Sequence, residues 1–370
     1  YMRVIVAGGG TGGHIYPALA IAQRILETMP GSEVLYIGCD NGLENTIVPT
    51  TKIPFKTISA KGLPRKPTPE LIKSLFVNAK GLVDAKRYIK DFKPDLVIGT
   101  GGFVCGPTVL MASVANIPTM IHEQNAYPGM TNRMLAGRVN KVMINYPEAS
   151  RFFAKAKETV LTGLPVREDI GRVTKDEGCK KFGLDPNKKT VLITGGSRGA
   201  RTINRVCALA LSGMLASENV QVIFITGKNG YVETSLLIKE SDGALLSNER
   251  LCFLEYSHDM PHALAAADVI IGRAGATFLA EIASCGLPGI LVPYPYASDN
   301  HQQFNAQAVV DAGGGEMILD DEMTVPKLLA ALKKFLEDDA YYESKKKGMA
   351  SLARPDALND IMMLVEGFEK

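Results

Sequence analysis

The chain has 370 residues, 46% hydrophobic and 22% charged, which is more than one hydrophobic core usually supports, so two domains are expected. A net charge of +2 gives neither the basic excess of a nucleic-acid binder nor an acidic tail, and no nucleic-acid partner is expected. Cysteines at 39, 105, 179, 207, 252 and 285 form no CxxC pair and lie mostly in apolar runs, which suits free thiols in a reducing cytoplasm better than a disulfide framework.

Met2-Arg3 runs directly into Val4-Ile5-Val6-Ala7, a strand pattern rather than a secretory leader. Residues 3–8, 33–38, 95–100, 119–122 and 141–145 read as short buried strands, each followed by a helical pattern. The uncharged stretch 96–121 is long enough to span a bilayer. Gly99, Gly101, Gly102, Gly106, Pro107 and Pro118 break it into strand, loop, helix and strand, so a buried βαβ segment is expected. After Gly163-Leu164-Pro165 the rhythm restarts, with strands at 190–194, 220–226, 250–254, 268–271 and 289–293. A helix over Val325–Glu337 carries Leu328, Leu329, Leu332, Phe335 and Leu336 on one stripe, and Pro355 restarts a helix through Ile361, Met362, Leu364 and Val365. The expected fold is α/β: two Rossmann-like, doubly wound parallel-sheet domains facing each other across a cleft. The first would occupy 1–163 and the second 164–345, with 346–370 a terminal helix able to return to the first.

Three glycine-rich loops each follow a strand and precede a helix: GGGTGGH at 8–14, GGFVCGP at 101–107 and GGSRGA at 195–200. Such loops let backbone N–H groups approach an anion, helped by the positive end of the next helix, although glycines also serve plain tight turns. None ends in the GK[ST] of a P-loop, and the first fits the dinucleotide pattern GxGxxG only loosely, so ATP hydrolysis is disfavoured and NAD is secondary. His258 and His262 lie four apart with Pro261 between them and no HExxH pattern, so no metal site is expected.

Residues 61–93 hold nine basic residues against three acids, interleaved with Leu71, Ile72, Leu75, Phe76, Leu82 and Val83. A face formed by Leu71, Ile72, Lys73, Leu75, Phe76 and Lys80 suits an anionic membrane surface. The alternative is an amphipathic core helix with a solvated basic side.

Several motifs in order carry a resemblance: GGTGGHIYPALA at 9–20, GTGGFVCGP at 99–107, HEQNAYPG at 122–129, TGLPVR at 162–167, GGSRGAR at 195–201, RAGATFLAEIASCGLPGILVPYP at 273–295 and DNHQQFNA at 299–306. Through them the chain resembles, end to end, the undecaprenyldiphospho-muramoylpentapeptide β-N-acetylglucosaminyltransferases, which complete the disaccharide lipid precursor of peptidoglycan. The resemblance implies a GT-B fold and inverting transfer of N-acetylglucosamine from UDP-N-acetylglucosamine to the 4-hydroxyl of undecaprenyl-diphospho-N-acetylmuramoyl-pentapeptide. It also implies no cofactor, a peripheral place on the cytoplasmic face of the cell membrane, and cell-wall and division proteins as candidate partners.

Among candidate catalytic residues, His14 opens a helix, where a charged imidazole is disfavoured, and suits a general base; a phosphate donor or helix cap is the alternative. The resemblance implies that Asn125 contacts the transferred sugar, with His122 and Glu123 either direct or supporting. Arg167 would offset charge on departing UDP, unless it forms an interdomain salt bridge. Together with the resemblance, the residues make Thr11, Gly12, Gly13, Asn125, Arg167, Ser197, Gly199, Glu281, His301 and Gln302 the expected donor contacts, with Arg198 beside them; the resemblance implies Glu281 on the ribose and Gln302 and His301 at the sugar. Asn305 shares the HQxxNA pattern, in which amides read sugar hydroxyls. Gly10, Thr11, Gly13, Gly102 and Gly106 would hold the acceptor diphosphate. Two departures bear on the donor site: Phe278 stands where many relatives have Thr, and Ser257 where they usually have Ile. The rivals are a UDP-sugar epimerase, a nicotinamide dehydrogenase and a non-catalytic membrane scaffold.

Overall fold

The structure, a computed structural model, describes residues 1–196 and 200–370. The chain divides into two compact units, residues 1–165 with 354–370, and residues 166–353.

In the first unit, β1 (Arg3–Ala7), α1 (Gly12–Thr28), β2 (Glu33–Cys39), α2 (Glu44–Ile47), β3 (Phe55–Ile58), α3 (Pro69–Phe92), β4 (Leu96–Gly99), α4 (Cys105–Val114), β5 (Thr119–Glu123), α5 (Met130–Leu135), β6 (Lys141–Ile144) and β7 (Thr159–Leu161) alternate along the chain. All strand pairs are parallel, in the order β3-β2-β1-β4-β5-β6-β7. Strands covered on both faces need apolar residues at every position. Val4 and Val6 accordingly enter one core with Ile15, Leu19 and Ile25 of α1, while Ile5 and Ala7 enter the other with Ala85 and Ile89 of α3 and Val109 of α4. The uncharged stretch 96–121 forms β4, loop, α4 and the start of β5. Among the described residues, no helix is long and apolar enough to cross a membrane.

The second unit contains α6 (Lys175–Lys181), β8 (Lys189–Thr194), α7 (Arg201–Met214), β9 (Val220–Ile225), α8 (Tyr231–Asp242), β10 (Leu251–Leu254), α9 (Met260–Ala266), β11 (Val269–Gly272), α10 (Ala276–Ser284), β12 (Gly289–Leu291), α11 (His301–Asp311), β13 (Gly315–Met317), α12 (Val325–Glu337) and α13 (Asp339–Ala350). Its sheet is again parallel, in the order β10-β9-β8-β11-β12-β13. Leu328, Leu332 and Phe335 of α12 are buried, as the stripe predicts. A final helix, α14 (Ala357–Glu366), belongs to the first unit, where Ile361, Met362 and Val365 join the α1 core.

Four elements escape the sequence reading. β3, β7 and β13 are sheet edges of three or four residues, too short to show an apolar run. Helix α13 buries only Met349 and so lacks a stripe; the break expected at 346 falls inside it.

Candidate active site

Each sheet has one point where the winding reverses, between β1 and β4 and between β8 and β11. Ligands of such sheets lie outside the strand carboxyl ends at that point. The first two glycine loops follow β1 and β4, and they touch backbone to backbone. The Gly9 N–H donates to the Gly101 carbonyl at 3.1 Å. Gly102 has φ +89, and a Cβ there would stand 2.3 Å from the Gly9 carbonyl oxygen. A Cβ on Gly101 would stand 2.5 Å from His14 Cδ2. Only glycine allows these approaches.

His14 is half-buried in the first turn of α1, its Nδ1 2.9 Å from the Gly9 carbonyl oxygen. A carbonyl can only accept, so Nδ1 is the donor in this bond. The Thr100 hydroxyl donates to the His14 carbonyl at 2.6 Å and ties α1 to the second loop. Thr11 is the extended residue before α1, and its side chain makes no capping bond to the helix that Gly12 and Gly13 begin. Gly10 is exposed, but its N–H donates to the Glu44 carboxylate at 2.9 Å. The Gly10 amide is therefore engaged by a side chain of its own unit. The Gly106 N–H likewise closes a turn onto the Phe103 carbonyl at 3.2 Å.

Residues 122–129 are shaped by buried polar groups. His122 Nε2 donates to the Gly163 carbonyl at 2.8 Å, and its Nδ1 accepts from Gln124 Nε2 at 3.0 Å. Gln124 Nε2 also donates to the Thr100 carbonyl at 2.7 Å. Burial pushes the His122 imidazole down to about 4. Glu123 accepts from the Gly129 N–H at 2.8 Å and the Asn125 N–H at 3.1 Å, while burial drives its carboxyl above the usual range. Both residues thus brace the segment that presents Asn125.

In the second unit the third loop follows β8, with Gly196 at φ +74 and Ala200 before α7. Ser197, Arg198 and Gly199 lie outside the described residues. After β11, the N–H groups of Ala274 and Tyr294 both donate to Gln302 Oε1, at 3.1 and 2.9 Å. Among the described residues the Nε2 end of Gln302 makes no hydrogen bond. Asn305 is fully buried and donates to the Ala274 carbonyl at 3.1 Å, bracing the loop after β11. His301 Nδ1 donates to the Ser298 carbonyl at 2.9 Å. Glu281, on α10, pairs with Arg167 at 3.2 Å, and both ends lie in the second unit, which replaces the interdomain salt bridge considered for Arg167. Burial raises the Glu281 carboxyl, and the Arg167 guanidinium opposes that rise. Ser257 is buried, its hydroxyl oxygen accepting the Asp259 N–H at 3.1 Å, and half-buried Phe278 packs against the core.

Helix α3 is turned inside out relative to an ordinary amphipathic helix. Ser74, Gly81, Ala85 and Ile89 face inward, and a Cβ on Gly81 would stand 2.0 Å from the Ser59 carbonyl oxygen. Ile72, Leu75, Phe76 and Val83 are exposed, Phe76 by 74%, beside exposed Lys73 and Lys80; Leu71 is half-buried.

Sequence reading missed Glu44, Thr100, Tyr36 and Arg273. The Tyr36 hydroxyl donates to the Gly8 carbonyl at 2.6 Å, and the buried Arg273 guanidinium holds Asp320 at 2.6 Å and the Val292 carbonyl at 3.2 Å. Thr100 and Arg273 lie inside the motifs at 99–107 and 273–295 without a role read for either, whereas Tyr36 and Glu44 lie in none of the motifs.

Residues 4–144 match the glycosyltransferase family 28 N-terminal domain and residues 190–361 the glycosyltransferase family 28 C-terminal domain. The chain belongs to glycosyltransferase family 28. It is 48% identical over 361 residues, 98% of each chain, to the UDP-N-acetylglucosamine--N-acetylmuramyl-(pentapeptide) pyrophosphoryl-undecaprenol N-acetylglucosamine transferase of Desulfitobacterium hafniense strain Y51. The Desulforamulus reducens protein of the same name is 42% identical over 365 residues, 99% of this chain and 98% of its own. The crystal structure of Acinetobacter baumannii MurG matches with a TM-score of 0.82 at 28% identity, covering 99% of this chain and 100% of that one.

Proposed function

We propose that this chain transfers N-acetylglucosamine from UDP-N-acetylglucosamine, with inversion, to the 4-hydroxyl of undecaprenyl-diphospho-N-acetylmuramoyl-pentapeptide. The observation that carries this reading is the end-to-end likeness to enzymes named for that transfer. Thr11, Gly13, Gly102 and Gly106 line the acceptor diphosphate site, with Gly10 leaving room. His14 Nε2 takes the proton from the muramoyl hydroxyl as its oxygen bonds to the anomeric carbon. The bond from that carbon to the β-phosphate oxygen breaks, and UDP leaves with the electron pair. Asn125 holds the transferred sugar, while Thr11, Gly12 and Gly13 approach the donor from the first loop. Glu281 accepts the ribose hydroxyls and gives up Arg167, whose guanidinium then meets the departing phosphate charge. Gln302 Nε2 and His301 read the sugar, and Ser197 and Gly199 cradle the donor diphosphate. The enzyme works at the cytoplasmic face of the cell membrane, held by the basic and apolar side of α3.

The test is UDP release and disaccharide formation with the lipid acceptor, alongside thermal shifts with UDP-N-acetylglucosamine, UDP-glucose and NAD. Acceptor-dependent product and selective stabilisation by the first ligand are expected. UDP formation without acceptor would mark an epimerase, and protection by NAD alone a dehydrogenase. Stabilisation by none of the three, with no product, would leave the scaffold.

A further inference from the structure

The Gly9–Gly10 peptide is engaged at both ends. Its N–H donates to Glu44 Oε2 at 2.9 Å, and its carbonyl oxygen lies 2.9 Å from His14 Nδ1. Glu44 is fully buried at the start of α2, and its other oxygen accepts the Cys39 N–H at 3.0 Å. Three glycines leave the room this carboxylate fills: a Cβ on Gly9, Gly38 or Gly42 would come within 2.8, 2.4 or 1.7 Å of a Glu44 side-chain atom. Among the described residues Glu44 has no cationic partner, and its two oxygens accept from these two amides.

We propose that Glu44 is a positioning residue for His14, acting through that single peptide. The carboxylate draws on the N–H, the carbonyl becomes a stronger acceptor, and the imidazole is held with its proton on Nδ1 and its lone pair on Nε2. This rests on the reading of His14 as the base. The corner also holds Cys39, whose N–H meets Glu44 and whose thiol donates to the Ala60 carbonyl, Tyr36, bonded to the Gly8 carbonyl, and Cys105, whose thiol bonds to Gly101. Burial raises the last two, Cys105 to about 12, so each of these two keeps its proton near neutral pH.

The test is nuclear magnetic resonance of the full chain labelled at its histidine side chains. The sequence has five histidines, and the His14 signal is assigned by its loss in His14→Gln. Neutral His14 is expected as the Nδ1–H tautomer; a wild-type chain with mainly the Nε2–H form overturns the proposal without any variant. In Glu44→Gln the ratio should move toward Nε2–H, and the His14 titration should move to lower pH by about half a unit or more, because loss of a nearby negative charge disfavours the imidazolium. kcat should fall by about tenfold or more with donor KM nearly constant, and the acid limb of the rate profile should follow the His14 titration. An unchanged tautomer ratio and titration in Glu44→Gln overturns the link. If Glu44→Gln does not fold, the wild-type tautomer decides. Less than a tenfold loss of kcat in His14→Ala sinks the base reading instead, while the tautomer still judges the contact with Glu44.

Discussion

A neutral imidazole is enclosed at His122, where Gly163 and Gln124 take up both ring nitrogens. Its value of about 4 lies below the ordinary 6.5, so the unfolded chain takes up the proton first as pH falls. Stability from this group is therefore complete above about pH 6.5 and lost as pH falls toward 4, by an amount on the order of 1–3 kcal/mol. Glu123 works in the opposite sense. Its raised carboxyl binds a proton in the folded state first, and that contribution fades as pH rises through the folded value. Comparing urea unfolding of wild type and His122→Gln at pH 4.5 and 7.5 isolates the histidine. The advantage of wild type should be larger at the higher pH, and an advantage independent of pH would refute a buried neutral His122. The sequence placed His122 and Glu123 beside Asn125 but left their roles open, because enclosure is made by Thr100, Gly129, Asn132 and Gly163, none of which is a sequence neighbour of both.

Helix α3 shows how an element can be right in composition and open in meaning. Its mixture of cations and large apolar residues fits either a core helix or a membrane face. The close approach of Gly81 to Ser59 fixes which side turns inward, since small residues at the contact leave Ile72, Leu75 and Phe76 exposed. Each large apolar side chain contributes about 1.5–3 kcal/mol when fully withdrawn from water. Ile72→Ser combined with Phe76→Ser should therefore weaken cosedimentation with anionic phospholipid vesicles by at least about tenfold. Binding of wild type should also fall with added salt, as attraction by Lys73 and Lys80 is screened. Vesicle binding indifferent to the double substitution would remove α3 from the membrane contact.

At the scale of the whole molecule, α14 returns the chain to the first unit and contributes three buried side chains, Ile361, Met362 and Val365, to the α1 core. Ending the chain after Ala353 should therefore damage the first unit and spare the second. Calorimetry should show the loss or steep lowering of one transition while the other remains. UDP-N-acetylglucosamine should still raise the surviving transition, by about 2.7 kcal/mol of stability at one hundred times Kd. A truncated chain that keeps both transitions would show that α14 is dispensable to the first core. Loss of the donor response would show instead that the second unit does not hold the nucleotide by itself.

Sequence by itself determined the two parallel sheets, the positions of ten of their strands and the loops that end on β1, β4 and β8, because each of these is written in local apolar runs and glycine spacing. Chain-long motifs also carried the family and the reaction. Tertiary structure alone decided the edge strands β3, β7 and β13, the buried side of α3, and the pairing of Arg167 with Glu281. It alone brought Glu44 behind the first glycine loop. The reason is physical: periodicity reports which residues avoid water, whereas hydrogen-bond partners distant in sequence are chosen only when strands 2 and 4 close on either side of strand 1.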